Sequence, residues 1–480
     1  MEFKEEENMK QIKIGFLPSN WESWDGNQFT GKWAGKMRDR CLKVMEQVDK
    51  VQIVVPSAEL TEDGCVSTPE EGKKALELYL SEQIDALAVG NMTFGMEVAV
   101  GEVLSGLNKN IPILHFCTKS GPIHKGSRST DTWCGQFMTT SAIRRRGFKF
   151  VHINTCNPEE PEFQEGFESF ARVVYAIKRF KGAKIAQLGT RPLLFESQFF
   201  SEENFQRTFS QMLKTMDLAT LFDQLDRIKD TDPQVVDTVT DIKAGFVCDQ
   251  TIPESSIIMQ AKYEIALKRA YDELDADCMA VSCWAMLQKK YGIAACSTFA
   301  RLNQQGYITA CEVDVLGAAT MLLTRAVTMD EETPVFIDWT DLHPTEDNMW
   351  LAWHCGNAAP SLCAQSDTKK LMANERLGIW GDACDGSVEF RMKEGPVTCV
   401  RLLEYEGEYR MFISTGESVN IEPFIRGTYA WIKVRDIKKM EAAMIEAGAI
   451  HHGVLVFSET AADDLEMFCK FMNIKVIRCD

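Results

Sequence analysis

Carboxylates and histidines at the ends of apolar runs are the residues of this sequence best suited to chemistry. Four of its seven histidines fall in the last third: His343, His354 and the adjacent pair His451–His452. Glu312 follows the apolar run Ile308–Cys311 and precedes Val313-Asp314-Val315-Leu316-Gly317. A carboxylate that ends a buried strand and enters a helix sits where open α/β sheets place their ligands. Asp338 closes the run Val335-Phe336-Ile337 before Trp339-Thr340-Asp341, and His354 stands in Trp353-His354-Cys355-Gly356-Asn357. His451-His452-Gly453 precedes the apolar stretch Val454–Phe457. Carboxylate and imidazole together suit a divalent metal ion. Taken singly, each of these residues also fits a helix cap, a surface position or a packed core. Were the His-His pair in a strand, its side chains would face opposite ways and only one would reach a given site. Spacing alone leaves both readings open.

Other chemistries lose ground. No GxGxxG follows the first strand, no GxxxxGK[ST] occurs, and there is no GxSxG elbow, which argues against nucleotide cofactors and serine hydrolysis. The 16 cysteines run from Cys41 to Cys479 with no CxxC pair, so zinc ribbons and thioredoxin-like motifs are excluded. Several lie within apolar stretches (Cys278, Cys283, Cys296, Cys311) and read as reduced core thiols.

The elements that must position these residues alternate. Strands Ile12–Leu17, Val51–Val55, Ala86–Val89 and Ile111–Phe116 are separated by helices over about 30–48, 69–83 and 97–107. Thr68-Pro69-Glu70-Glu71 opens the second helix with a capping residue, Pro at the first helical position and Glu three residues after the cap. Such alternation predicts a parallel, doubly wound sheet. A second α/β domain begins near residue 150, with a helix over about 161–179, strand Lys184–Leu188, helices over about 204–216 and 255–274, strand Cys278–Ser282 and helices near 285–291 and 315–326. After residue 328 the pattern turns to β: Val397–Leu403 and Tyr409–Ser414 join through Glu406-Gly407-Glu408, Thr428–Val434 adds another strand, and a helix near 461–472 leads to Ile474–Ile477. The expected architecture is an α/β domain over 1–150, a second over 151–328, both Rossmann-like, and a barrel-like β domain over 329–480.

The chain has 480 residues, with 52 basic against 70 acidic side chains and a net charge of −18. That acidity argues against nucleic-acid and membrane-surface partners, which demand clustered Lys and Arg. No apolar run reaches the length of a bilayer span. Met1–Lys10 is charged and lacks the apolar core of a signal peptide, so a cytoplasmic protein is expected.

Four segments in register resemble the metal-dependent L-fucose isomerase and L-arabinose isomerase families. These are Ala310–Met321, Phe336-Ile337-Asp338-Trp339, His354-Cys355-Gly356-Asn357 and His451-His452-Gly453. The resemblance covers nearly the whole chain, including its α/β–α/β–β order. It implies that Glu312, Asp338 and His452 are metal ligands. His354 matches a ligand of the arabinose branch, whereas Asp338 follows the fucose branch, and the pair His451–His452 follows the arabinose branch again. The mixture leaves the substrate open between L-fucose and L-arabinose types, and an arginine and several tryptophans at the site would also suit a C6-modified, anionic sugar such as sulfoquinovose.

The implied activity is aldose–ketose isomerisation through a cis-enediolate, with Mn²⁺, or another divalent ion, as Lewis acid. Glu312 and Asp338 would exchange roles as general base and acid. Expected substrate contacts are His451, Trp284 and Gln288 after a buried strand, and Arg191 after the strand ending at Leu188. A core Trp, a surface Gln and a loop-capping Arg are the competing readings of the last three. The related families also imply a homo-hexamer in which the first domain of a neighbouring copy closes the site, bringing Trp21, Trp24 and Gln136. Two alternatives stand beside this reading: a non-catalytic sugar-binding or regulatory protein, and an epimerase or lyase with the same metal-assisted chemistry.

Overall fold

The computed structural model describes residues 11–21, 32–121, 123, 128–374 and 384–480. Trp24 and His124 lie outside them. The chain divides into two compact units, Met1–Lys178 with Met467–Asn473, and Arg179–Glu466 with Ile474–Asp480. Among the described residues, no helix is long and apolar enough to cross a membrane.

The first unit is built on a five-stranded parallel sheet in the order Val51–Val54, Ile12–Ser19, Ala86–Asn91, Ile113–Thr118, Phe150–Cys156. Its central strands are buried along their length, as expected of a sheet covered on both faces. The helix Pro69–Glu82 starts where the sequence signals: the Thr68 hydroxyl accepts from the Glu71 backbone N–H, and the Glu71 carboxylate accepts from the Thr68 backbone N–H. Phe150–Cys156, where the sequence reading opens a further domain, pairs with Ile113–Thr118 as the fifth strand of this sheet.

The second unit combines two sheets. A four-stranded parallel sheet runs Thr309–Ala310, Cys278–Val281, Lys184–Leu188, Met212–Met216. The helix expected over 204–216 ends early. Helix Glu202–Phe209 stops at Ser210, whose φ of 57° breaks the helical path, and Met212–Met216 then pairs beside Lys184–Leu188.

The second sheet closes on itself. Gly395–Tyr405 pairs with Glu408–Val419 and with His452–Val456, which pairs with Val335–Leu342. Val335–Leu342 pairs with Met349–His354, that strand with Thr428–Lys433, and Thr428–Lys433 returns to Glu408–Val419. Six antiparallel strands thus form a ring, which removes free edges within it. The Gly395–Val419 hairpin turns through Glu406 and Gly407, both at positive φ (55° and 79°), as a two-residue turn requires. Lys475–Cys479 adds in parallel to Glu408–Val419. The observed fold is therefore mixed α/β with parallel sheets and a C-terminal sheet that contains a barrel. The β-rich stretch also carries a helix the sequence reading did not anticipate, Ile437–Ala447, capped by Asp436.

Candidate active site

Loops at the C-terminal ends of the four-stranded sheet and strands of the barrel deliver one cluster, all within the second unit. Glu312 follows the short strand Thr309–Ala310 and has φ of 61°; Val313 after it has φ of 59°. Two consecutive left-handed residues, one of them β-branched, are a strained arrangement of the kind found at functional sites. Asp314 then caps the helix Val315–Ala326, accepting from the Gly317 backbone N–H at 2.8 Å.

The barrel supplies the rest. Asp338 and His452 stand opposite each other in the register of two antiparallel strands, and His354 ends the next strand. Asp338 does not terminate its strand as the sequence suggests. Val335–Leu342 continues past it, and the pairing with Met349–His354 slips between Trp339 and Asp341. A bulge of this kind re-aims side chains beside a site. Gly453 is needed next to His452, because a Cβ there would lie 2.3 Å from the Trp339 indole.

His452 is fully buried and is the hub of the cluster. Its Nε2 lies 3.0 Å from Glu312 Oε2 and 3.6 Å from Asp338 Oδ1, and its Nδ1 lies 2.9 Å from Asp314 Oδ2. The Gln198 amide lies 3.3 Å from the same Nδ1. Asp314 is in turn held by Arg401 through both guanidinium nitrogens, at 2.6 and 2.9 Å. Glu312 Oε1 accepts from Trp284 Nε1 at 3.1 Å.

The environment pushes the two acids apart. Burial raises the Glu312 carboxyl, but the hydrogen bond and charge of His452 outweigh it, and the net direction is down. Burial dominates at Asp338, and with repulsion from Glu312 lifts it to about 7 against the pull of His452. A carboxyl pair split in this way provides one base and one acid near neutral pH. Burial would lower His452, but its bonds to Asp314 and Glu312 carry it to about 9. His354 is lowered to about 4 by burial.

The donor set fits a divalent cation. Donor atoms of Glu312, His451 and His452 lie within 4.8 Å of one another, as do those of Asp338, His354 and His452. Among the described residues, both ring nitrogens of buried His354 lack a hydrogen-bond partner, and so does Asp338 Oδ1. Buried donors of this type are ordinarily satisfied. Their concentration here, on imidazole and carboxylate, matches the ligands of a hard or borderline ion.

Of the expected residues, Glu312, Asp338, His354 and His452 come together. His451 joins them despite the opposite-face argument, since it precedes the strand His452–Val456 and escapes its alternation; the two rings are 3.9 Å apart. Phe195 packs edge-on against both His451 (4.6 Å) and Trp284 (5.7 Å). Arg191 donates to the Phe195 carbonyl and so holds that loop. Gln288 donates to the Cys283 carbonyl at 2.9 Å. Trp21 and Gln136 belong to the first unit, at the C-terminal end of its sheet. The Trp21 backbone N–H donates to Thr93, and the Gln136 amide donates to Thr155.

Sequence reasoning passed over Asp314, Arg401, Gln198 and Phe195. Asp314 carried a readable signal, an acid ahead of a helix and two residues from Glu312. Arg401 carried another, a lone charge inside Cys399-Val400-Arg401-Leu402-Leu403, which must be paired if buried. Phe195 precedes, and Gln198 ends, the short 3-10 turn Glu196–Gln198, and neither gave a signal.

Comparison with known proteins adds a second, independent line. Residues 26–181 match the family model "Fucose/sulfoquinovose isomerase, N-terminal domain" and residues 352–479 match "L-fucose isomerase, C-terminal domain". The chain is 23% identical to a sulfoquinovose isomerase of Alkalicoccus urumqiensis over 406 residues, covering 84% of this chain and 87% of that one. It is 22% identical to the sulfoquinovose isomerase of Priestia aryabhattai, with the same coverage. One from Clostridium sp. (strain MSTE9) is 21% identical over 78% of this chain and 81% of its own. The matched models at both ends of the chain and these long relatives agree: the chain belongs to the fucose isomerase family and is an aldose–ketose isomerase.

Proposed function

We propose that this isomerase converts sulfoquinovose, an aldose with a sulfonate on C6, to the corresponding ketose, with Mn²⁺ held by Glu312, Asp338 and His452. The single observation carrying the metal reading is the set of buried atoms on His354 and Asp338 that have no hydrogen-bond partner among the described residues, around the His452 hub. The substrate reading rests on relatives named sulfoquinovose isomerase that cover 84% of the chain.

Isomerisation takes the proton from C2, returns a proton to C1, and moves a hydroxyl proton from O2 to O1. A divalent ion bound here supplies Lewis-acid neutralisation of the charge that develops on those two neighbouring oxygens. Glu312 starts as base toward C2. Asp338 starts as the acid, and the two exchange roles in the reverse direction. His354 completes the ligand set, and His451 lies along the sugar. Trp284 and the Phe195 ring wall the site, Gln288 offers an amide to a hydroxyl, and Arg191 pairs with the sulfonate. A neighbouring copy in a cytoplasmic homo-hexamer brings Trp21 and Gln136.

The match of residues 352–479 to an L-fucose isomerase domain favours L-fucose as the second reading. An assay with Mn²⁺ on sulfoquinovose, L-fucose, L-arabinose and D-arabinose separates them. The expected result is the highest kcat/KM on sulfoquinovose; a preference for L-fucose would replace the substrate, and inactivity on all four would sink the reading.

A further inference from the structure

We propose that Asp314 and Arg401 form a positioning pair that fixes which nitrogen of His452 is offered to the metal, and thereby sets metal affinity. The inference rests on the metal site proposed above. His452 meets a carboxylate at each ring nitrogen, Asp314 at Nδ1 and Glu312 at Nε2. The two carboxylates are not equivalent. Glu312 shares the cluster of candidate ligands, with its other oxygen accepting from the Trp284 indole.

Asp314 is committed elsewhere on every side. Its Oδ1 accepts from Gly317 N–H and Arg401, and its Oδ2 accepts from Arg401 and His452. Both Asp314 and Arg401 are essentially inaccessible, at 1% and 2% exposure. The guanidinium fork, permanently charged, compensates the carboxylate and locks its plane. Asp314 therefore has an oxygen fixed at 2.9 Å to accept the Nδ1 proton. With that proton on Nδ1, the lone pair of His452 lies on Nε2, on the side of Glu312 and Asp338. This is the carboxylate–histidine arrangement that orients a metal ligand and raises its basicity.

The competing role is a brace. Asp314 caps Val315–Ala326 and Arg401 lies on the barrel strand Gly395–Tyr405, so the pair ties a helix to a strand. A brace alone would affect stability and leave metal affinity unchanged.

Titration of the chelator-stripped protein with Mn²⁺, followed by calorimetry, distinguishes the two. Asp314→Asn keeps an oxygen for the Gly317 N–H but removes the charge facing Nδ1. The expected result is a Kd for Mn²⁺ raised about 10- to 100-fold, with circular dichroism as in the wild type. A Kd within twofold of the wild type would overturn the positioning role while leaving the metal site intact. Absence of stoichiometric Mn²⁺ on the wild type would overturn both. Should Asp314→Asn fail to fold, Arg401→Lys, which keeps the charge and loses the fork, is titrated in the same way. A several-fold weaker Kd is expected of it, and an unchanged Kd would refute the pair.

Discussion

His354 shows how a residue can work against the fold that carries it. It is buried at 3% exposure, and neither ring nitrogen finds a hydrogen-bond partner among the described residues. An unsatisfied buried polar group costs about 1–3 kcal/mol. His354→Leu, apolar and able to fill the space, is expected to stabilise the metal-free protein by about 1 kcal/mol while weakening Mn²⁺ binding. Urea denaturation in chelator checks the first effect, and a loss of stability in that variant would mean the imidazole is satisfied after all. Arg191 makes a separable prediction, because a guanidinium matters only for the anionic end of a sugar. Arg191→Ala should raise KM for sulfoquinovose about tenfold or more, the cost of one charge-assisted hydrogen bond, and leave any turnover of uncharged L-fucose little changed. Equal effects on both sugars would reduce Arg191 to a prop for the Phe195 loop.

At the level of elements, the site depends on neighbouring barrel strands staying in register. Gly453 lets the Trp339 indole cross its strand directly beside His452. Gly453→Ala places a methyl within 3 Å of three indole carbons, on a strand that cannot retreat without moving His452. Overpacking of this kind costs about 1–3 kcal/mol. A lower melting temperature together with weaker metal binding is expected, and a wild-type melting curve would show that the indole yields freely. Local signals made other elements legible in advance. The Thr68 cap and the Glu406-Gly407 turn announced their structures because their chemistry acts within a few residues. Strand pairing across the chain left no such mark. The barrel closes through partners as distant as Val335–Leu342 and His452–Val456, and the bulge after Trp339 follows from that pairing. For the same reason strand Met212–Met216 was not foreseen, whereas the helix Ile437–Ala447 carried local signals in its Asp436 cap and in Gly448 after its last turn.

At the level of the molecule, the candidate site draws on loops that follow the four-stranded parallel sheet and on strands of the barrel-containing sheet, with apolar cores behind both. Glu312, Trp284 and Phe195 each follow a different strand of the four-stranded sheet. The site residues legible in the sequence were those with ionisable side chains beside apolar runs; their assembly required the fold. Asp314 and Arg401 lie 87 positions apart and meet only once the barrel forms. The acidity of the chain, −18, argues against clustered-phosphate partners in the sequence reading but says nothing of the sugar. Everything proposed for this isomerase depends on metal-assisted chemistry at Glu312, Asp338 and His452. The most direct test is turnover of sulfoquinovose by chelator-stripped protein titrated with Mn²⁺. No turnover is expected of the stripped protein, with full activity restored at one ion per chain; full turnover without any divalent ion would contradict metal dependence.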